Sequence, residues 1–243
     1  RVICLKDINS KSSLKLLKSF KISHLFSCSS RFIFKKSIID KFKDKIFNIH
    51  PTHLPNERGA GAFTFRILKS QFFCCATIHL IDEGIDTGKI FFISKKITIN
   101  KNSMPYDFLV NTNKCYLFLI KKFIYIIKNK KTITLKNQND KMKTYLPRFY
   151  TDIMGAINWN WEGKYIQSFI RGCSKPYSGA YSFVMYKYRP VKIKIFNAKF
   201  KSLKINYHPF LNGKIFYQDK NILKVTVQNG ILIIDIKYIE FED

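Results

Sequence analysis

Residues 46–61 read IFNIHPTHLPNERGAG, and this stretch decides how the first half of the chain is interpreted. The run 46–49 is short and mostly apolar and leads into a loop bounded by prolines, so it predicts a buried strand that ends at a polar loop. Side chains two residues apart on a strand share a face. Asn48 and His50 are therefore predicted to point in the same direction where the strand ends.

Short apolar runs alternate with helix-like periodicity on both sides of this stretch. Such alternation is typical of βαβ units, in which helices connect parallel strands. We therefore predict an α/β fold built on a parallel sheet for the first half of the chain. The predicted strands are 1–5, 24–28, 46–49, 77–81 and 89–93, and the predicted helices are 12–20, 35–42, 62–69 and 104–128.

The composition changes in residues 128–143, which are rich in Lys, Asn, Thr and Gln. We interpret this segment as a linker. Beyond it a helix is predicted at 159–170, and Asn229-Gly230 is a strong signal for a hairpin turn. The alternating runs in this part predict strands at 191–196, 213–217, 222–227 and 231–236, and hence a small antiparallel barrel or sandwich.

The charge of the chain is high but evenly distributed. The 243 residues include 43 Lys+Arg against 16 Asp+Glu, and 46% of them are hydrophobic, which excludes a disordered basic tail. Basic and acidic side chains number 18 and 7 in residues 1–100, 10 and 2 in 101–146, and 15 and 7 in 147–243. We therefore interpret the excess first as a compositional bias and second as a footprint for a polyanion. A non-enzymatic nucleic-acid-binding module would rest on the net charge of +27 alone.

The cysteines and the apolar runs indicate a cytoplasmic protein without a metal or a membrane span. No apolar stretch reaches the roughly 18 residues that a transmembrane helix needs. The cysteines form no CxxC motif and no metal-like pairing with the five histidines, so free thiols in a reducing compartment are expected. These cysteines are Cys4, Cys28, Cys74, Cys75, Cys115 and Cys173.

A second polar loop, DEGIDTG at 82–88, follows the predicted strand 77–81. Ligands of open parallel sheets bind beyond the carboxyl ends of the strands, so this loop is predicted to bring Asp86 to the same edge as Asn48 and His50. An amide, an imidazole and a carboxylate suit acyl transfer to an amine, because the first two can bind an oxyanion and the third can orient the imidazole and accept protons. The alternative interpretation is that all three residues only cap a strand end and a turn.

Two of these stretches together resemble a known family. NIHPTHLP at 48–55, followed by Arg58-Gly59, is similar to the first signature of the tetrahydrofolate-dependent formyltransferases, and IHLIDEGIDTG at 78–88 is similar to their second signature. The family usually has Ser-Leu where Thr52-His53 stands here. Past the predicted linker, YLPR at 145–148, INW at 157–159, FIR at 169–171 and PYSGA at 176–180 resemble the carboxyl-terminal part of methionyl-tRNA formyltransferases and related sugar N-formyltransferases.

The resemblance implies a domain plan. It predicts a partial, Rossmann-like formyltransferase domain in residues 1–127, a linker in 128–143, and a small β-barrel of the OB-like type in 144–243. Family members begin with two further strands and their helices. We therefore expect this sequence to start close to the third strand of the family fold.

The resemblance also implies site residues and a mechanism. Asn48, His50 and Asp86 would be the catalytic trio, and 10-formyltetrahydrofolate would be the formyl donor. A neutral amine would attack the formyl carbon, the oxyanion would be held by His50 and Asn48, and Asp86 would assist removal of the proton. The residues implied for binding the pterin are Phe32, Ile33, Phe34, Asp82, Glu83, Gly84 and Ile85.

The amine acceptor is open at the level of the sequence. Initiator methionyl-tRNA and a nucleotide-linked amino sugar are both candidates, and the similarity to the end of the chain favours the tRNA. A formyltetrahydrofolate hydrolase, with water as the acceptor, would use the same trio. A group of lysines on and after the strand 191–196 is interpreted either as a phosphate-binding surface or as an ordinary solvated strand face; its members are Lys192, Lys194, Lys199, Lys201 and Lys204.

Overall fold

The computed structural model describes residues 3–20, 22–30, 32–205 and 207–242. Its helices are α1 (Lys11–Ser19), α2 (Lys36–Lys41), α3 (Ala62–Leu68), α4 (Pro105–Lys128), α5 (Thr151–Met154) and α6 (Gly163–Gly172). The strands of the first part are β1 (Leu25–Cys28), β2 (Ile46–His50), β3 (Arg58–Gly59), β4 (Phe73–Cys74), β5 (Thr77–Leu80), β6 (Ile90–Ile93), β7 (Ile97–Thr98) and β8 (Tyr145–Leu146). Those of the last part are β9 (Ala180–Tyr186), β10 (Arg189–Ile195), β11 (Lys199–Ser202), β12 (Ile215–Gln218), β13 (Ile222–Val227), β14 (Gly230–Asp235) and β15 (Ile239–Glu242).

The main sheet of the first part is mixed. Its strand order is β1-β2-β5-β6, with β1 parallel to β2 and with β5 antiparallel to both of its neighbours. The α/β class is confirmed, but the prediction of a parallel sheet holds only for β1 and β2. A parallel pair needs a crossover of about a dozen residues or more, and the loop from β5 to β6 is too short for one. Residues 3–5 of the predicted first strand lie outside any strand, and residues 1 and 2 are outside the described part.

Helix α4 covers one face of this sheet. Its buried side chains Cys115, Leu119 and Phe123 recur every four residues, which places them on one side of the helix. They pack against Phe47 and Ile49 of β2. Because side chains alternate along a strand, the residues between and after these two point to the opposite face. Among the described residues, no helix is long and apolar enough to cross a membrane.

The last part of the chain folds into antiparallel sheets. One has the order β15-β10-β9 and the other β11-β14-β13-β12. Ile166 and Ile170 of α6 are fully buried and pack with Ile193, Val225 and Leu232 from these sheets. The predicted antiparallel β structure is confirmed, and the strand predicted at 222–227 has the bounds of β13.

Helix α6 begins later than the predicted 159–170. The side chain of Asn158 accepts a hydrogen bond from the N–H of Asn160, and the N–H of Trp161 donates to the carbonyl of Asn158. This local turn competes with a helix over the same residues, so the helix starts at Gly163.

The chain divides into two compact units. The first comprises Arg1–Ala62, Phe73–Thr98 and Asn111–Pro147, and the second comprises Phe63–Phe72, Ile99–Val110 and Arg148–Asp243. The ranges 1–127, 128–143 and 144–243 stay a prediction about domains.

Candidate active site

Three polar side chains stand on the face of the sheet that α4 does not cover. Asn48 and His50 alternate on β2 with the residues that pack against α4, and His79 of β5 lies directly opposite Asn48 in the antiparallel register. Opposite residues of an antiparallel pair share a face. Both imidazoles are buried, with 5% of His50 and 2% of His79 exposed. The polar face of β2 and β5 is therefore a desolvated site.

The loop after β5 brings Asp86 to this face by a route that the sequence did not predict. Because β5 runs antiparallel to β2, Leu80 pairs with Phe47, and the loop starts at the end of the sheet far from His50. The predicted meeting at a shared carboxyl edge is therefore wrong. The loop instead returns to the sheet, so that Asp86 Oδ2 lies 3.5 Å from His50 Nδ1 and Asp86 Oδ1 lies 3.5 Å from His79 Nε2.

The backbone of this loop is tightly constrained. Asp86 has a φ of 54°, in the left-handed region that Asp tolerates better than most residues. Two residues later, a Cβ at Gly88 would collide with the carbonyl oxygen of Leu80, so only glycine fits there. The N–H of Gly59 donates a 2.9 Å hydrogen bond to Asp86 Oδ2. The Asp86 carboxylate is thus contacted by Gly59 of β3 as well as by the two histidines of the main sheet.

The surroundings of Asp86 favour its ionised form. Burial acts to raise the pKa of this carboxyl and is the largest single influence. Against it act the hydrogen bond with His79, the charge of His50 and the N–H of Gly59, and together they hold the pKa below its usual value. Asp86 is therefore a carboxylate at neutral pH.

The two imidazoles share one arrangement of hydrogen bonds. Nδ1 of His79 lies 2.7 Å from the carbonyl oxygen of Leu80, and Nε2 of His50 lies 3.0 Å from that of Glu57. A carbonyl oxygen only accepts, so each of these ring nitrogens carries a proton. The other ring nitrogen faces Asp86 in both cases, and a proton on it is directed at the carboxylate. Nε2 of His79 also lies 3.2 Å from Nδ2 of Asn48 and accepts a hydrogen bond from that amide when the ring is neutral.

This arrangement can bind an oxyanion and accept a proton side by side. The amide of Asn48 is a donor with a second hydrogen besides the one directed at His79, and His50 becomes a second donor when Nδ1 is protonated as well as Nε2. The carboxylate of Asp86 is the proton acceptor of this space, and one ring nitrogen of each histidine lies 3.5 Å from it. Such a pairing suits attack by an amine on an acyl carbon, which needs no Ser or Cys nucleophile.

His79 belongs to this cluster, although no local sequence pattern selects it beside the predicted trio. Its place depends on the register that sets it opposite Asn48. Alternation within β5 does not reveal that register. The one available signal was its position in the stretch 78–88, which resembles the second family signature and also contains Asp86.

The segments predicted to hold the pterin lie next to each other. Phe34 and Ile81 both pack against the small core of Ile38, Phe42 and Ile46. Beyond that core, Lys36 at the start of α2 forms an ion pair with Glu83. Large apolar side chains at both segments are exposed, namely Phe32, Ile33 and Ile85.

Within the second of these segments, Asp82 shapes its own loop. Its carboxylate accepts hydrogen bonds from the N–H of Gly84 and from Oγ1 of Thr87. A carboxylate occupied in this way fixes a turn. The backbone of Gly84 and Ile85 is thereby presented in a defined conformation.

The lysines considered as a phosphate surface do not act as one group. Nζ of Lys192 lies 2.8 Å from the carboxylate of Glu242, and Nζ of Lys194 lies 3.2 Å from it. These two side chains are 24% and 18% exposed, whereas Lys199 and Lys201 on β11 are exposed. Glu242 partly neutralises Lys192 and Lys194, so Lys199 and Lys201 are the more exposed and less compensated charges of the group.

Comparison with known proteins gives matches over most of the chain. A family model described as "Formyl transferase" matches residues 25–106, and one described as "Formyl transferase, C-terminal domain" matches residues 151–242. The methionyl-tRNA formyltransferase of Finegoldia magna is 28% identical over 96% of this chain and 72% of its own length. The methionyl-tRNA formyltransferase of Rickettsia typhi is 30% identical over 83% of this chain and 61% of its own length.

Among solved structures, the N-formyltransferase from Helicobacter canadensis, in complex with folinic acid and dTDP-3-aminofucose, is similar in fold and sequence. Its TM-score is 0.63 and its identity 28%, over 86% of this chain and 72% of that one.

Proposed function

Because the chain belongs to the formyl transferase family, we propose that it transfers a formyl group from 10-formyltetrahydrofolate to a primary amine. The observation that carries the proposal is the convergence of Asn48, His50 and Asp86 on one face of the sheet. Its oxyanion donors and its proton acceptor are the groups that direct acyl transfer to an amine requires. The whole activity is a proposal, since the chain spans 72% and 61% of the two relatives compared above.

Each residue of the proposed trio has a separate task. The bound folate would supply the formyl carbon as the electrophile. The amide of Asn48 and, once Nδ1 is protonated as well as Nε2, the imidazolium of His50 would stabilise the negative charge that develops on the formyl oxygen when the amine forms its C–N bond. Asp86, with the two imidazoles beside it, would accept the proton that the amine loses, and a proton returned to the leaving nitrogen of the folate would complete the transfer.

The residues present fit such a donor. Exposed apolar side chains at Phe32, Ile33 and Ile85 offer a surface for a flat ring next to the polar face of the sheet. We propose that these residues bind the pterin together with Phe34, Asp82, Glu83 and Gly84.

Initiator methionyl-tRNA is the proposed acceptor, because the curated relatives described above are methionyl-tRNA formyltransferases. We propose with it a cytoplasmic location and an OB-like arrangement of the two sheets in residues 144–243. A nucleotide-linked amino sugar is the second candidate, since the similar Helicobacter canadensis structure contains dTDP-3-aminofucose beside folinic acid.

A turnover assay with 10-formyltetrahydrofolate tests the proposal and separates the acceptors. The protein is incubated with charged initiator methionyl-tRNA, with dTDP-3-aminofucose, or with neither. Formylated methionyl-tRNA is the expected product. Formate released at the same rate without any amine would identify a hydrolase instead. Full activity of a His50→Ala variant would overturn the assigned site.

The same preparation tests a non-enzymatic role. Salt-sensitive RNA binding that persists when His50 and Asp86 are both replaced, together with no folate binding by the parent, would identify a basic nucleic-acid-binding module.

A further inference from the structure

The segment after α4 is bonded to the loop that carries Asp86. Nε2 of Gln138 donates two hydrogen bonds, one of 2.8 Å to the carbonyl oxygen of Asp86 and one of 2.7 Å to that of Gly88. Close by, Lys136 and Ile90 exchange backbone hydrogen bonds. One amide group therefore fixes the backbone on both sides of Thr87, which is the part of the loop that aims the Asp86 side chain.

Arg58 fixes the orientation of this amide. Its Nε and Nη2 lie 3.0 and 2.7 Å from Oε1 of Gln138, and Nη2 also lies 2.8 Å from Asp140. A guanidinium only donates and a carbonyl only accepts, so the Gln138 amide satisfies both sides in one orientation alone. The Arg58 side chain is 7% exposed, which makes it a rigid support.

The backbone next to Arg58 acts on the carboxylate itself. The N–H of Gly59 donates to Oδ2 of Asp86, and β3, which contains both Arg58 and Gly59, pairs in parallel with Tyr145–Leu146. Residues 58–59 therefore hold the Asp86 side chain directly and hold its backbone through Gln138. Both supports lie within the first compact unit.

We propose that Gln138, oriented by Arg58, is the positioning residue that holds the Asp86 carboxylate between His50 and His79. The inference rests on the proposed function for its catalytic consequence, but its structural consequence can be measured without turnover. Gln138 touches none of the reacting atoms. Its effect arises because Asp86 has a left-handed backbone, and an unsupported loop would leave that conformation more readily.

The test compares Gln138→Leu and Gln138→Glu with the parent. The Leu variant removes the N–H groups that donate to the carbonyl oxygens of Asp86 and Gly88. The Glu variant keeps an oxygen that accepts from Arg58, but its second oxygen faces those two carbonyl oxygens and repels them. Both are expected to lower kcat about tenfold to hundredfold, because a displacement of about 1 Å in a catalytic group costs up to about 10²-fold. The KM for 10-formyltetrahydrofolate is expected to change less than about threefold, since the proposed pterin contacts remain.

A second readout does not depend on activity. The ¹⁵N chemical shifts of the His50 and His79 ring nitrogens, recorded at one fixed pH, are expected to move in both variants towards those of an Asp86→Asn protein. Gln167→Leu is the matched control, because Gln167 also bonds a backbone group, the N–H of Phe200, but lies in the second unit. The control is expected to lose stability while the ring ¹⁵N shifts of both histidines stay parental.

The outcomes separate this inference from the proposed function. Parental ring ¹⁵N shifts of His50 and His79 in both Gln138 variants, or a parental kcat in Gln138→Glu, would overturn the positioning role. If the parent transfers no formyl group but its Gln138 variants show the changed ring ¹⁵N shifts, the proposed function is overturned and the positioning role is supported.

Discussion

At the scale of single residues, Asp86 shows how a largely buried carboxyl group, 14% exposed, stays charged. Burial alone would raise its pKa and favour the neutral acid. The two imidazoles and the N–H of Gly59 outweigh that effect and lower the pKa. A carboxylate in this setting remains a proton acceptor throughout the neutral range.

Asp86→Asn is expected to lower turnover about 10²-fold to 10⁴-fold, because the amide cannot accept the proton of the attacking amine. Binding of 10-formyltetrahydrofolate, measured by isothermal titration, is expected to remain detectable. Asp40→Asn is the control, since Asp40 is an exposed carboxylate on α2. If Asp86→Asn loses folate binding, and the loss of binding fully accounts for the loss of turnover, the assigned role is contradicted.

The lowered pKa of Asp86 also predicts how stability depends on pH. Its folded pKa lies below its unfolded value of about 3.9, so the ionised group stabilises the fold above that value and loses this effect as the pH falls through the folded pKa. The difference in unfolding free energy between the parent and Asp86→Asn is therefore expected to be largest above about pH 5 and to shrink below about pH 4. Urea titrations across this range measure it, and a difference that grows on acidification would contradict the sign.

At the scale of elements, α4 and β2 divide the sheet into an apolar and a polar face. Leu119 of α4 is 1% exposed in the core of the first unit, whereas Leu117 on the same helix is 61% exposed. Leu119→Ala is expected to lower the free energy of unfolding by about 2–5 kcal/mol, because it removes buried methyl groups and leaves a cavity. Leu117→Ala is expected to change it by less than about 0.5 kcal/mol. Urea unfolding of both variants measures this difference. Equal losses of unfolding free energy in the two variants would contradict the prediction.

Local pattern located the elements but not their pairing. The prediction 46–49 differs from β2 by one residue, and helix α4 begins one residue after its predicted start. The direction of β5 was missed because a short buried strand has the same local sequence whether it runs parallel or antiparallel. For the same reason the sequence led to Asn48, His50 and Asp86 but not to His79, whose place is fixed by the register of two strands. The role of Gln138 was not predicted, because it lies in the segment 128–143, whose polar composition is typical of a linker.

At the scale of the whole molecule, the net charge of +27 makes the acceptor testable through salt. If the acceptor is tRNA, log KM for it is expected to rise linearly with log salt concentration, because bound cations are released from its phosphates. The double variant Lys199→Glu/Lys201→Glu is expected to raise the KM for tRNA several-fold and to flatten that dependence. Lys192→Ala is the matched control, since Glu242 already partly neutralises Lys192. A KM that is independent of salt would favour the sugar acceptor.

The hydrogen bond from Gly59 to Asp86 gives the protein an internal reporter. An amide hydrogen held by a buried carboxylate exchanges slowly with deuterium, and it exchanges faster when the acceptor withdraws. The exchange rate at Gly59 therefore measures how often Asp86 leaves its place between the imidazoles. If binding of a folate or an amine stabilises the loop, the exchange of the Gly59 amide hydrogen should become slower before any product is formed.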